Sequence, residues 1–98
     1  MSFGGAPENL VAEQGDADAQ YNLGWCYANG EGVEKDFTQA VAWWHKAAEQ
    51  GHAVAQYNMG VCYYKEKENF QAVYWWRKAA RQGNEMAQQA LRNIGETW

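Results

Sequence analysis

The sequence predicts an all-α fold, a short α-solenoid of about five antiparallel helices. Three observations predict it. The stretch GDADAQYNLGWCY (15–27) recurs as GHAVAQYNMGVCY (51–63) at a constant offset of 36 residues. The stretch QAVAWWHKAAEQG (39–51) recurs as QAVYWWRKAARQG (71–83) at an offset of 32, so the second copy lacks four residues between the two blocks. A QG ending closes three segments: LVAEQG (10–15), KAAEQG (46–51) and KAARQG (78–83). Internal periods of this size mark stacked helix pairs, each unable to bury its apolar face alone.

Taken in order, residues 1–9 (MSFGGAPEN) read as a flexible start, and the repeat domain spans 10–98. LVAEQG reads as the last turn of a second helix whose beginning is missing. Repeat one covers 16–51, repeat two 52–83, and 84–98 is a partial repeat with a lone first helix in NEMAQQALRNI. Each first helix opens after a glycine, at Asp16, His52 or Asn84. Asp and Asn side chains accept bonds from the free N–H groups of a first turn, and His52 is a poorer match to that role. Each second helix starts near Asp36 or Asn69 and stops at Gly51 or Gly83, where positive φ is wanted just past a helix end. On a wheel, helix 37–49 gathers Phe37, Ala40, Val41, Trp44, Ala47 and Ala48 on one face, with Trp43 at its edge. In the first helix Ala19, Leu23, Cys26 and Tyr27 cluster beside Gly24. A mid-helix glycine costs about 1 kcal/mol relative to alanine, so Gly24 and Gly60 imply a close helix crossing there. Ala40, Ala47, Ala72 and Ala79 are the small residues that make room from the other side.

Composition limits what such a chain does. At 98 residues it is one domain that buries roughly 60 to 65% of its unfolded surface. Six Trp, six Tyr and three Phe fill a small core economically. The first 49 residues set eight acids against two bases, a charge of minus six, and the remainder carries plus two. No basic footprint for phosphates is present, so nucleic acid is not an expected partner. Nothing approaches a membrane span or a secretory leader, and the expectation is a soluble, cytoplasmic chain without a membrane partner. Cys26 and Cys62 read as reduced, buried small side chains rather than a disulfide or metal motif.

The pattern A-x-A-x-x-x-L-G-x-x-Y-x-x-G-x-G-V-x-x-D, followed by A-x-x-W-W-x-K-A-A-E-Q-G, resembles the Sel-one-like repeat, a relative of the tetratricopeptide repeat. Here it is carried by Ala17, Ala19, Leu23, Gly24, Tyr27, Gly30, Gly32, Val33, Asp36, Ala40, Trp43, Lys46, Ala47, Ala48 and Gly51. The second copy keeps Ala53, Ala55, Met59, Gly60, Tyr63, Ala72, Trp75, Lys78, Ala79, Ala80 and Gly83. It replaces the Gly-x-Gly-Val turn with KEKEN (65–69), where the family's loop geometry does not transfer. The resemblance implies a right-handed superhelix of antiparallel helix pairs whose concave side, lined by the first helix of each pair, binds other proteins. Cysteine-rich relatives linked to β-lactam or cell-wall chemistry carry two cysteines per repeat, which this chain lacks.

The side of helix 17–28 away from its core carries Tyr21, Asn22 and Trp25, with Asn29 one turn on. Tyr57, Asn58, Val61 and Lys65 hold those places in the second copy. The candidate partner-binding stripe is therefore Tyr21, Asn22, Trp25, Asn29, Tyr57, Asn58 and Lys65. Asn22 and Asn58 offer donor and acceptor to an extended peptide, and Trp25 is a natural anchor. The alternative stays open that the asparagines are solvated residues recurring by duplication and that Trp25 packs against the N-terminal segment or a neighbouring helix. Trp43, Trp44, Trp75 and Trp76 read as core, and residues 65–68 as a solvated turn.

Function divides between two non-enzymatic readings: a module that holds a peptide or helix of another protein, and a unit that self-associates or extends a longer solenoid through uncapped ends near Leu10, Val11, Leu91, Ile94 and Trp98. Outward Arg77, Lys78 and Arg81 oppose the acidic first half and suit head-to-tail contact; as ordinary solvated charges they need no such role. His45 and His52 have no Ser, Cys or carboxylate at a pairing distance in sequence. No phosphate-binding, dinucleotide or metal motif occurs, so no catalysis, cofactor or metal is expected.

Overall fold

A computed structural model describes residues 10–98, and the expected start at 1–9 lies outside them. Residues 10–13 are helical. Five helices follow: α1 (Ala17–Asn29), α2 (Phe37–Glu49), α3 (Ala53–Lys65), α4 (Asn69–Arg81) and α5 (Glu85–Asn93). Each packs chiefly on its neighbours in sequence, and the body measures 49 × 23 × 16 Å. No strand occurs among the described residues.

Capping explains where the helices start. Asp16, Asp36 and Asn84 accept from Ala19, Gln39 and Ala87 N–H groups. His52 does the same through Nδ1, accepting from the Ala55 N–H at 3.1 Å. Its Nε2 then carries the proton and faces Asp18 Oδ1 at 3.0 Å, while its ring stacks on Tyr21 with centroids 4.8 Å apart. His45 Nδ1 lies 3.6 Å from Glu49. The expectation that neither histidine meets a carboxylate is thus corrected: Glu49 lies one helical turn from His45, and Asp18 is brought to His52 by the antiparallel return of α2, which sequence spacing does not reveal. Among α1–α5, only α4 starts without a side-chain cap, from Glu68.

Three equivalent turns end the helical segments at Gly15, Gly51 and Gly83, with φ of 98°, 96° and 94°. The QG glutamines do more than mark these stops. Gln50 Nε2 donates to Gly15 O at 2.7 Å and to Gln20 Oε1 at 2.9 Å. Gln82 repeats this one unit on, donating to Gly51 O at 2.8 Å and Gln56 Oε1 at 2.9 Å. Gln20, Gln56 and Gln88 in turn donate to Ala12, Ala48 and Ala80 carbonyls. Gln20 and Gln56 are buried, so these bonds satisfy amides that burial would otherwise penalise.

The core runs as three clusters along the stack, centred on Leu23 and Ala19, on Trp44, Met59 and Trp75, and on Trp76, Ala87 and Leu91. Trp44, Trp75 and Trp76 are buried and Trp43 half-buried. The glycines are explained differently from expectation. A side chain at Gly24 would strike the Trp44 indole, and one at Gly60 would strike that of Trp76. What occupies the space is a tryptophan edge rather than an opposing alanine, although the Ala40 carbonyl would also lie 3.0 Å from a Gly24 Cβ.

Two further expectations change. Leu91 is fully buried between α4 and α5 and forms no exposed end. Arg77 and Arg81 are not simply outward. Arg77 binds Glu96 at 2.7 Å and the Thr97 carbonyl at 2.8 Å, and Arg81 donates to the Trp98 carbonyl at 3.2 Å. The last residues are thereby strapped along α4.

Candidate interaction groove

Successive first helices of a stack present parallel faces, and a groove of about 420 Å³ opens between α1 and α3. From α1 come Trp25, Ala28 and Asn29; from α3 come Asn58, Val61, Cys62 and Lys65. This follows from helical spacing, since residues four apart share a face. The connection into α2 contributes Lys35 and Phe37, and Trp44 forms the floor.

Trp25, Asn29, Asn58 and Lys65, four residues of the candidate stripe, therefore meet in one groove. The other three do not line it. Asn22 is exposed on α1 outside it. Tyr21 is half-buried against His52 and the edge of Trp25. Tyr57 packs with the α4–α5 cluster, and its carbonyl accepts from Trp76 Nε1 at 3.2 Å. Lys35 and Phe37 were missed because they enter from a loop and a helix start. Phe37 belongs to the apolar face on a wheel, yet at the first helical position it reaches past the core and stays 60% exposed at the groove.

Trp25 packs on a neighbouring aromatic with only part of its surface. Its ring meets Trp44 edge-on at 4.9 Å between centroids, while 40% of the residue remains exposed. One side is anchored and the other faces the groove.

Two buried donors in these walls have no hydrogen-bond partner: Trp44 Nε1 and Asn58 Nδ2. The first is turned toward α1 at Gly24, where the equivalent Trp76 finds the Tyr57 carbonyl. Asn58 stands in the groove wall. Burial pushes the neighbouring Cys62 thiol up, with Lys65 opposing that shift and Glu66 adding to it. No disulfide joins Cys26 and Cys62. Among the described residues no cluster of His, Cys, Asp or Glu is arranged to hold a metal, and no helix is long and apolar enough to cross a membrane.

A stack of antiparallel helix pairs with a groove between its first helices defines a helical-repeat protein of the α-solenoid class. The Sel1 repeat model matches residues 17–52 and 53–84, and the chain belongs to the Sel1 repeat family. Sel1 repeats are in general protein–protein interaction modules. Among solved structures, the chain is similar to a Sel1 repeat protein from Oxalobacter formigenes, with 40% identity and a TM-score of 0.82 over 86% of this chain and 35% of that one. It is also similar to a protective antigen present in uropathogenic Escherichia coli strains and displaying an SLR fold, with 39% identity and a TM-score of 0.83 over 92% of this chain and 20% of that one. The chain thus spans about a third and a fifth of the lengths of these two proteins. No curated protein matches it. The right-handed solenoid expected from the sequence is the fold these relatives share.

Proposed function

We propose that the chain is a non-enzymatic interaction module that holds a peptide or helix of a partner protein in the groove between α1 and α3. The observation that carries this is Trp25, braced on Trp44 yet 40% exposed beside the unsatisfied amide of Asn58. A rigid, half-anchored tryptophan loses little entropy on binding and is the residue type most enriched at interface hot spots. The test is affinity capture with the protein and its Trp25→Ala/Asn58→Ala variant, each checked by circular dichroism. A partner retained by the protein and lost by an equally helical variant is expected. Equal retention by both contradicts the assignment.

A second reading, self-association through the N-terminal end, is favoured by the exposure of Leu10 and Val11. Light scattering over a range of concentrations distinguishes the two, since a mass that stays monomeric removes this reading.

A further inference from the structure

Resting on the groove reading above, we propose that the occupant is an extended peptide segment carrying acidic side chains on either side of an apolar one. The chain carries a net charge of −4, yet among the described residues the charged side chains lining the groove are Lys35 and Lys65, with Glu66 bordering it beside Lys65 and Cys62. A cationic cleft with low-dielectric walls, set in an acidic protein, concentrates anionic partners and disfavours basic ones. The two lysines come from different elements, Lys35 from the connection between α1 and α2 and Lys65 from the last turn of α3, so the groove offers two separate cationic points. Two such points match spaced carboxylates and are too few to hold a run of nucleic-acid phosphates.

Helix ends facing the groove do not cancel this charge. On α1 the Cys26 carbonyl accepts from Gly30 and Glu31 N–H groups, and the Tyr27 carbonyl accepts from Asp36. On α3 the Tyr63 carbonyl accepts from Glu66 and Glu68. These carbonyls, which carry the negative end of the helix dipole, are bonded within the turns.

Between the lysines the walls are apolar, with Trp25, Phe37 and Val61 offering area to one side chain of the peptide. The form of the peptide follows from Asn58. Its Nδ2 is closed off and has no acceptor where it stands, and a rotation of the amide into the groove would pair it with a carbonyl of the peptide. An extended segment presents free backbone carbonyls, whereas a helix has already used its interior carbonyls.

The test uses the full chain and two dye-labelled peptides that differ only in having Glu-Leu-Glu or Gln-Leu-Gln at the centre, read by fluorescence anisotropy. The acidic peptide is expected to bind roughly three- to tenfold tighter at about 50 mM salt, the range that two partly exposed ion pairs supply. The gap is expected to narrow at about 300 mM salt and to close in the Lys35→Ala/Lys65→Ala variant. Asn58→Leu is expected to weaken both peptides alike. Equal binding of the two peptides, abolished by Trp25→Ala, overturns the acidic assignment and leaves the groove reading standing. Undiminished binding of the acidic peptide by both the lysine and Trp25 variants overturns both. Tighter binding of a helix-stapled form overturns the extended assignment, and no saturable binding of either peptide overturns the proposal. Self-association abolished by the lysine substitutions makes a second copy the occupant and overturns it as well.

Discussion

Trp44 lays its indole across Gly24, so closely that a Cβ at residue 24 has no space. The same pairing recurs between Trp76 and Gly60. In each repeat a large aromatic from the second helix seats on a bare stretch of the first, which fixes the spacing of the helix pair and, through Trp44, the floor of the groove.

Gly24→Ala tests this seat. Alanine favours a helix by about 1 kcal/mol over glycine, so a helix without the seat would gain stability. Displacing a buried indole costs more, and a net loss of about 1–3 kcal/mol is expected in thermal or urea unfolding. A variant as stable as the native chain contradicts the packing described.

The glutamine clasp makes a second prediction. Gln82→Ala leaves Gln56 Oε1 without its donor in a buried position and removes the bond to Gly51 O. A loss of about 1–3 kcal/mol is expected, and a double-mutant cycle with Gln56→Ala should give a coupling above about 0.5 kcal/mol. Strict additivity removes the clasp from the account.

These two relationships mark where sequence reasoning succeeded and stopped. The helices were legible because caps at Asp16, Asp36 and Asn84 and left-handed positions at Gly51 and Gly83 are local signals. The side chain resting on Gly24 was not, because a glycine announces a space without naming its occupant. Gln50 and Gln82 read only as part of a stop signal, since their partners lie 26 to 35 residues earlier in the chain. Trp25 and Asn29 were found together because residues four apart share a helix face, and Asn58 followed from Asn22 by the offset. Lys35 and Phe37 sit where no helical period applies, so their entry into the groove required the fold.

Lys67 makes the third prediction. It takes the left-handed conformation, φ 63°, in the shortened turn where the first repeat uses glycines at 30 and 32. Lys67→Gly relieves that conformation at the cost of a more flexible unfolded chain. A net gain of up to about 1 kcal/mol is expected by urea unfolding, and a clear loss contradicts the backbone assignment.

The raised Cys62 thiol gives a pH dependence. The folded state holds this proton more tightly than the unfolded state, whose thiol ionises near about pH 8.5. Its stabilising contribution is therefore complete below that pH and is lost as pH rises toward the higher folded value. Subtracting the stability profile of Cys62→Ala isolates the effect. A difference that grows with alkaline pH contradicts the sign.

The most direct measurement of the central claim places a photo-crosslinking amino acid at Val61, inside the groove, and in a separate variant at Gln71, exposed on α4 outside it. With a captured partner or the acidic peptide present, adducts are expected from position 61 and none above background from position 71. Crosslinking from position 71 alone would place the partner elsewhere on the stack and contradict the groove as its binding site.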